Sequence, residues 1–131
     1  MRQIALRSGI VNKKLPNILV FDDDELIRLC WNYVRRETQD IDTLHSFSCW
    51  EEFASTATPE LLENAVAFVD FQFDKVRSQY NGIDIAKTLR EMGIDKIYSI
   101  TGNPQFVAES RHLFSGVLGK EVPSDIRALV A

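Results

Sequence analysis

From residue 17 onward, short apolar runs alternate with segments whose apolar residues recur at helical spacing. The run "AVAFVD" is continuously apolar, which is typical of a strand buried on both faces of a parallel sheet. Strands that alternate with helices predict a doubly wound α/β fold, with a parallel sheet and helices on both faces. Five runs are predicted as strands: "NILVFD", "DIDTLHSFS", "AVAFVD", "KIYSIT" and "SGVLGK", the last ending at Lys120.

The segments between the strands carry helix start and stop signals. Asp24 is suited to cap a helix from Glu25 to Glu37, since a short acidic side chain can accept hydrogen bonds from the first free N–H groups. Pro59 suits a first helical position, and Gly93 suits the end of a helix. Further helices are predicted for "CWEEFAST", for a short turn from Thr58, for Gly82 to Met92, for "NPQFVAESRHLF", and for "SDIRALVA" with Ser124 as its cap.

Size and charge narrow the class of protein. The chain has 131 residues and a net charge of −4, which fits one domain (17–131) behind an N-terminal extension (1–16). An acidic chain without a suitable basic run is not expected to bind nucleic acid or an anionic membrane directly. Its apolar runs are far shorter than the ~20 residues that span a bilayer, so a cytoplasmic location is expected. Cys30 and Cys49 are expected to be reduced and used in packing.

Polar residues follow the predicted strands, one strand after another. In a parallel sheet the carboxyl ends of all strands meet at the same edge, where ligands bind. We therefore expect three acids, a hydroxyl and an ammonium to converge: Asp22, Asp23, Asp70, Thr101 and Lys120.

This set of residues suits phosphate chemistry. Converging carboxylates repel one another, so a positive charge is expected among them, and Mg²⁺ prefers such oxygen ligands. Thr101 and Lys120 on either side of Asp70 could neutralise the equatorial oxygens of a phosphoryl group. The sequence therefore predicts a phosphate site beside an aspartate.

Over residues 17 to 131 these positions resemble the response-regulator receiver domains of two-component signalling, in the family's order and approximate spacing. The resemblance implies a flavodoxin-like sheet of order 2-1-3-4-5 and Asp70 as the phosphoacceptor. It implies that Asp23 and Asp70 ligate Mg²⁺ directly, that Asp22 acts largely through a water molecule, and that the backbone carbonyl of Gln72 is a further ligand. Thr101 and Lys120 would contact the phosphoryl oxygens.

The same resemblance implies a signalling switch rather than an enzyme with a separate substrate. A sensor histidine kinase or a histidine phosphotransfer protein would supply the phosphoryl group, and a homodimer is possible. The short final helix suggests one domain of a longer protein. The loop from Phe71 to Asn81 is longer than usual, and Val117 stands where the family usually has a tyrosine or phenylalanine. The loop residues Asp74, Lys75 and Arg77 are most simply a solvated surface, with a partner surface as the alternative interpretation.

Two alternatives remain open on the sequence. The altered loop and Val117 would also suit a pseudo-receiver that binds a partner without being phosphorylated. The stretch "FDDDEL" also fits the haloacid dehalogenase-like phosphatases, with Asp22 as nucleophile and Asp24 as general acid. Those enzymes need a further acidic pair after the lysine, whereas only Asp125 follows Lys120, and they have no need of Asp70.

Overall fold

A computed structural model describes residues 16–37, 43–73, 81–123 and 126–130. The described strands are β1 (Asn17–Phe21), β2 (Leu44–Phe47), β3 (Ala65–Asp70), β4 (Lys96–Ile100) and β5 (Gly116–Leu118). These five parallel strands form one sheet in the order β2-β1-β3-β4-β5, which confirms the predicted topology.

The helices connect these strands and cover both faces of the sheet. They are α1 (Glu25–Glu37), α2 (Trp50–Thr56), α3 (Pro59–Leu62), α4 (Gly82–Glu91) and α5 (Ile126–Val130). Thr58 accepts a hydrogen bond from the Leu61 N–H at the start of α3, as its position before Pro59 predicts. Gly93 has a φ of 97°, which explains why α4 ends there. None of the described helices combines the length and apolar character that a membrane span needs.

Alternate residues of each strand feed two hydrophobic layers. In β1, Leu19 and Phe21 pack with α2 and α4, whereas Ile18 and Val20 pack with α1 and α5 on the opposite face. All six residues of β3 are buried, as its continuous apolar run predicts. Both layers reach the carboxyl edge of the sheet, so the residues just beyond the strands are held by a close-packed core.

Four details differ from the sequence-based predictions. The segment Pro104–Leu113 is a 3₁₀-helix with a kink at Ser110 and not an α-helix. Strand β5 ends at Leu118, two residues before Lys120. Cys49 is buried as predicted, but Cys30 is exposed, so its predicted packing role was wrong. Strand β2 is Leu44–Phe47, so Thr43 and Ser48, which were predicted to belong to it, lie outside the strand.

The 3₁₀ segment forms the crossover from β4 to β5. It is followed by Ser115, whose N–H donates 2.7 Å to the Ile97 carbonyl at the start of the β4–β5 pairing. Ser124 and the cluster of Asp74, Lys75 and Arg77 lie outside the described residues.

Candidate functional site

The turn after β1 places the three consecutive aspartates in three different environments. The Asp22 side chain is fully buried, and its Oδ1 accepts a hydrogen bond of 2.9 Å from the Asp24 N–H. Asp24 accepts 2.9 Å from the Leu26 N–H through Oδ1, which confirms it as the cap of α1. Asp23 stays exposed to solvent. One run of charge therefore provides a buried anion, an exposed carboxylate and a helix cap.

Asp70 is the last residue of the central strand, β3. Its backbone carbonyl accepts 3.1 Å from the Phe73 N–H, and the Gly82 N–H donates 2.6 Å to the Phe71 carbonyl. A Cβ on Gly82 would clash with the Asp70 carbonyl and lie 2.8 Å from the Phe71 Cα. The start of α4 is thus pressed against the backbone that carries Asp70, which only a glycine permits.

Thr101 and Lys120 reach the same point from β4 and β5. The Thr101 N–H donates 2.9 Å to the Leu118 carbonyl, which ties the two strand ends together. The Lys120 Nζ donates 2.7 Å to Asp22 Oδ2 and 3.0 Å to Asp70 Oδ1. The ammonium therefore bridges two carboxylates from different strands, which lie 48 positions apart in the chain.

Asp22, Asp23 and Asp70 each offer a carboxylate oxygen within 4.8 Å of the others. These acids line an open cavity of about 430 Å³ with Thr101 and Lys120. The structure thus brings together every predicted site residue, including Gln72. The remaining lining residues are Asp24, Gly102, Asn103 and Phe106.

Burial and neighbouring charges shift the pKa values of three residues in the site. Burial raises the pKa of Asp70, and repulsion from Asp22 adds to this, although the hydrogen bond from Lys120 opposes it. Desolvation and the charge of Asp22 also raise the pKa of Asp23. Burial acts to lower the pKa of Lys120, but its hydrogen bonds to Asp22 and Asp70 outweigh this and raise it. The raised pKa values of Asp23 and Asp70 indicate that the nearby positive charge does not fully compensate the negative charge of the carboxylates.

Three neighbours of the site were not found by sequence reasoning. The Arg28 guanidinium donates a hydrogen bond of 2.8 Å to the Asp22 carbonyl, and its positive charge acts to lower the pKa of Asp23. Its place one turn into α1, on the side of the aspartates, is a signal that could have found it. Asn103 and Phe106 line the cavity from the segment after β4, which forms a 3₁₀-helix where the sequence pattern predicts an α-helix.

The comparisons with known proteins find likeness in solved structures alone. No protein-family model matches the chain, and no curated protein does. The response regulator StyR matches with a TM-score of 0.64 and 18% identity over 88% of this chain and 57% of StyR.

A response-regulator receiver domain from Rhodospirillum rubrum matches with a TM-score of 0.56 and 15% identity, over 86% of this chain and 87% of that domain. A fusion that contains part of the yeast Spc42 coiled coil matches with a TM-score of 0.64 and 13% identity, over 90% of this chain and 74% of that one. Structural matches at such low sequence identity establish the fold alone. The chemistry has to be argued from the residues of the site. The chain has the fold of the response-regulator receiver domains.

Proposed function

We propose that this domain is a phosphorylation switch that receives a phosphoryl group on Asp70 from a phosphohistidine of a partner protein. The observation that carries this proposal is the Lys120 ammonium between Asp22 and Asp70, at 2.7 and 3.0 Å, beside the Thr101 hydroxyl in one cavity. A nucleophilic carboxylate needs such neighbours, because negative charge accumulates around phosphorus during transfer.

The chemistry of the step follows from the two oxygens of Asp70. Lys120 holds Oδ1, while Oδ2 has no hydrogen-bond donor among the described residues and is free to attack. That oxygen forms a bond to phosphorus as the phosphorus–nitrogen bond of the phosphohistidine breaks, and the imidazole leaves with the electron pair. Lys120 and Thr101 would then contact the equatorial oxygens. Later hydrolysis of the acyl phosphate by water resets the switch, so its catalysis acts on the domain itself.

The acids also fit a divalent cation. Asp22 is bonded on both oxygens, by the Asp24 N–H and by Lys120, whereas Asp23 faces solvent. Asp70 would ligate through Oδ1, which leaves Oδ2 for the attack on phosphorus. Asp23, Asp70 and the Gln72 carbonyl are therefore the proposed direct ligands, with Asp22 acting through water. Oxygen ligands in this number suit Mg²⁺. The cation would supply the positive charge that the cluster lacks and would help to neutralise the phosphoryl oxygens.

The phosphatase alternative receives less support from the geometry. It requires Asp22 as the nucleophile and Asp24 as the general acid. The Asp22 side chain is inaccessible and bonded on both oxygens, and an oxygen of Asp24 accepts the Leu26 N–H at the start of α1. Asp70, in contrast, lies at the centre of the cavity wall, between the strands that bring the acids and the hydroxyl.

An exposed apolar face of α1, next to the site, is suited to bind a helical signalling partner. On α1, Leu26, Leu29 and Tyr33 are 67%, 56% and 57% exposed, and they recur at helical spacing. An apolar groove of about 630 Å³ runs from this face to Lys120 and Val122. A histidine kinase or phosphotransfer protein could bury this face while presenting its phosphohistidine to Asp70. Such phosphotransfer would take place in the cytoplasm.

Incubation with acetyl phosphate and Mg²⁺, followed by intact-mass measurement, tests the proposal. The expected result is the gain of one phosphoryl group, and borohydride trapping should place it on the peptide that contains Asp70. A label on Asp22 would favour the phosphatase. Absence of label from every donor, while Mg²⁺ still raises the melting temperature, would favour the pseudo-receiver. Asp23→Ala should weaken the response to Mg²⁺, since stabilisation by a ligand follows its affinity.

A further inference from the structure

The apolar groove beside the site lies between α1 and the residues that follow β5. Ile27, Leu29 and Tyr33 belong to its wall on α1, and Glu121 and Val122 belong to the opposite wall. Leu29 and Tyr33 are more than half exposed, so the described residues do not cover this wall. An open apolar surface of this kind on a folded domain marks a place where another segment or protein binds.

The segment before β1 has a composition that complements the groove. Residues 1–15, which lie outside the described residues, contain four basic residues and no acidic one. Residues 16–131 contain 11 basic and 19 acidic residues, which gives them a net charge of −8. Opposite charge therefore attracts the segment to the domain, whereas a second copy of the chain carries the same sign of net charge. The segment also has aliphatic side chains to bury: Ile4, Ala5, Leu6, Ile10, Val11 and Leu15.

The segment joins the domain within reach of the groove. Pro16 is buried, and its carbonyl accepts 3.4 Å from the Thr43 hydroxyl just before β2. Helix α1 packs on β2 and runs back toward the amino edge of the sheet, so Tyr33 and Val34 lie toward the point where the segment joins β1. From Val34 to Ile27 the groove follows α1 for about 10 Å. A chain of 15 residues spans up to about 50 Å, so the segment can reach the whole groove.

We propose that residues 1–15 bind in this groove, with aliphatic side chains against Leu29 and Tyr33 and a basic side chain facing Glu121. Glu121 forms no ion pair with the described residues, whereas the Lys120 ammonium at the same wall is already bound to two carboxylates. Tethering favours this occupant over a separate protein, because a segment of the same chain has an effective concentration of about a millimolar.

Binding of the segment would have a consequence for signalling. The groove continues the α1 face that the proposed function assigns to the phosphodonor, so a protein donor would have to displace residues 1–15 before it could reach Asp70. This consequence rests on the proposed function, whereas the binding of the segment does not. A small donor such as acetyl phosphate would not need to displace the segment.

Cys30 is a native reporter of the groove. It lines the groove and is exposed, whereas Cys49 is buried. The rate at which N-ethylmaleimide alkylates Cys30 in the full-length chain is measured by intact mass, and peptide mapping confirms the modified residue. A bound segment should slow this reaction, because it covers the wall that carries the thiol.

Substitutions in the segment should open the groove. The combined variant Ile4→Ser, Leu6→Ser, Ile10→Ser and Val11→Ser should be alkylated at least about tenfold faster than the wild type, since the loss of buried aliphatic side chains shifts a binding equilibrium by that factor or more. Asn12→Ser removes no apolar side chain and should leave the rate unchanged. Circular dichroism should be the same for all three proteins.

A synthetic peptide of residues 1–15 restores the segment as a separate molecule. At millimolar concentration it should slow the alkylation of Cys30 in the combined variant. A peptide of the same composition in scrambled order is the control and should protect Cys30 less.

The outcomes that would contradict the inference are distinct. Equal alkylation rates in the wild type and the combined variant would show that residues 1–15 do not cover the groove. A wild-type rate that rises on dilution would assign the groove to a second copy of the chain and would also overturn the inference. If alkylation behaves as expected but acetyl phosphate adds no mass, the segment binds as proposed, and the proposed function is wrong together with the consequence for the donor.

Discussion

The central strand β3 and the edge strand β5 each bring one charged residue to the site, but they do so in different ways. Strand β3 has six buried residues and pairs with β1 and β4, and its own last residue is Asp70. Strand β5 has three half-buried residues and pairs with β4 alone among the described strands, and Lys120 lies two positions beyond its end. The carboxylate is positioned by the core, whereas the ammonium is positioned by the acids that it binds.

This difference suggests a division of roles. The proposed nucleophile must stay in line with the group that it attacks, so it benefits from a rigid strand between two neighbours. A long lysine side chain on an edge strand can follow charge as it moves from the carboxylates to a phosphoryl group. The contrast predicts that changes near β3 will have larger effects on stability than equivalent changes near β5.

The largest effect is expected for Asp70→Asn. This change removes the nucleophile while keeping the size of the side chain, so phosphorylation by acetyl phosphate should be abolished in the intact-mass measurement. Circular dichroism should show an unchanged fold. Label that persists in this variant would contradict Asp70 as the acceptor.

Lys120→Ala should slow phosphorylation by about 10²–10³-fold, since it removes charge stabilisation but leaves the acceptor in place. It should also lower stability, because Asp22 is fully buried and would lose its partner. The phosphorylation rate is obtained from intact masses measured at successive times after acetyl phosphate is added. Lys87→Ala, on the exposed side of α4, is the matched control and should leave the rate unchanged.

Gly82→Ala should destabilise the protein by about 1–3 kcal/mol in urea unfolding, because the added Cβ would overlap the backbone of Asp70 and Phe71. Gly119→Ala, beyond the edge strand, meets no heavy atom within 4 Å and should change stability by less than about 0.5 kcal/mol. If Gly82→Ala and Gly119→Ala lowered the free energy of unfolding equally, the predicted difference between the surroundings of β3 and β5 would be wrong.

Val69 and Val117 allow a comparison within one row of the sheet, since both pair with Ser99. Val69 is fully buried, and Val69→Ala should cost about 2 kcal/mol through lost burial and the cavity that remains. Val117 is half-buried, so Val117→Ala should cost less than about 1 kcal/mol. Urea unfolding measures both, and a larger loss at Val117 would argue against a weakly packed edge.

The smallest effect is the pH dependence of stability without metal. Because burial raises the pKa of Asp70 above 3.8, its ionised form is disfavoured in the folded state, and the full penalty is present at neutral pH. As pH falls through the raised pKa and then below 3.8, Asp70 becomes protonated in both states and the penalty disappears. In EDTA, Asp70→Asn should therefore melt higher than the wild type at pH 7, and the difference should shrink toward pH 4. A difference that grows on acidification would contradict the direction of this shift.

Local patterns in the sequence predicted the strand segments, a parallel sheet and the residues at its carboxyl edge, and the resemblance to receiver domains implied the strand order. The apolar runs of β1 and β3 are local properties of the sequence, and parallel strands end at one edge, so Asp22, Asp70 and Thr101 could be placed together from the sequence. The cap of α1 by Asp24 and the end of α4 at Gly93 were also predictable, because they depend on the few residues around them.

How these residues contact one another depends on the packing of the whole domain. The bridge that Lys120 makes between Asp22 and Asp70 depends on side chains from three strands, and no local pattern encodes such distances. The sequence pattern predicted an α-helix at Pro104–Leu113, whereas the segment is a 3₁₀-helix, and its Phe106 packs on Phe71, which is distant in the chain. Cys30 fits the apolar spacing of α1, yet it is exposed, because what a helix buries depends on the elements that pack against it.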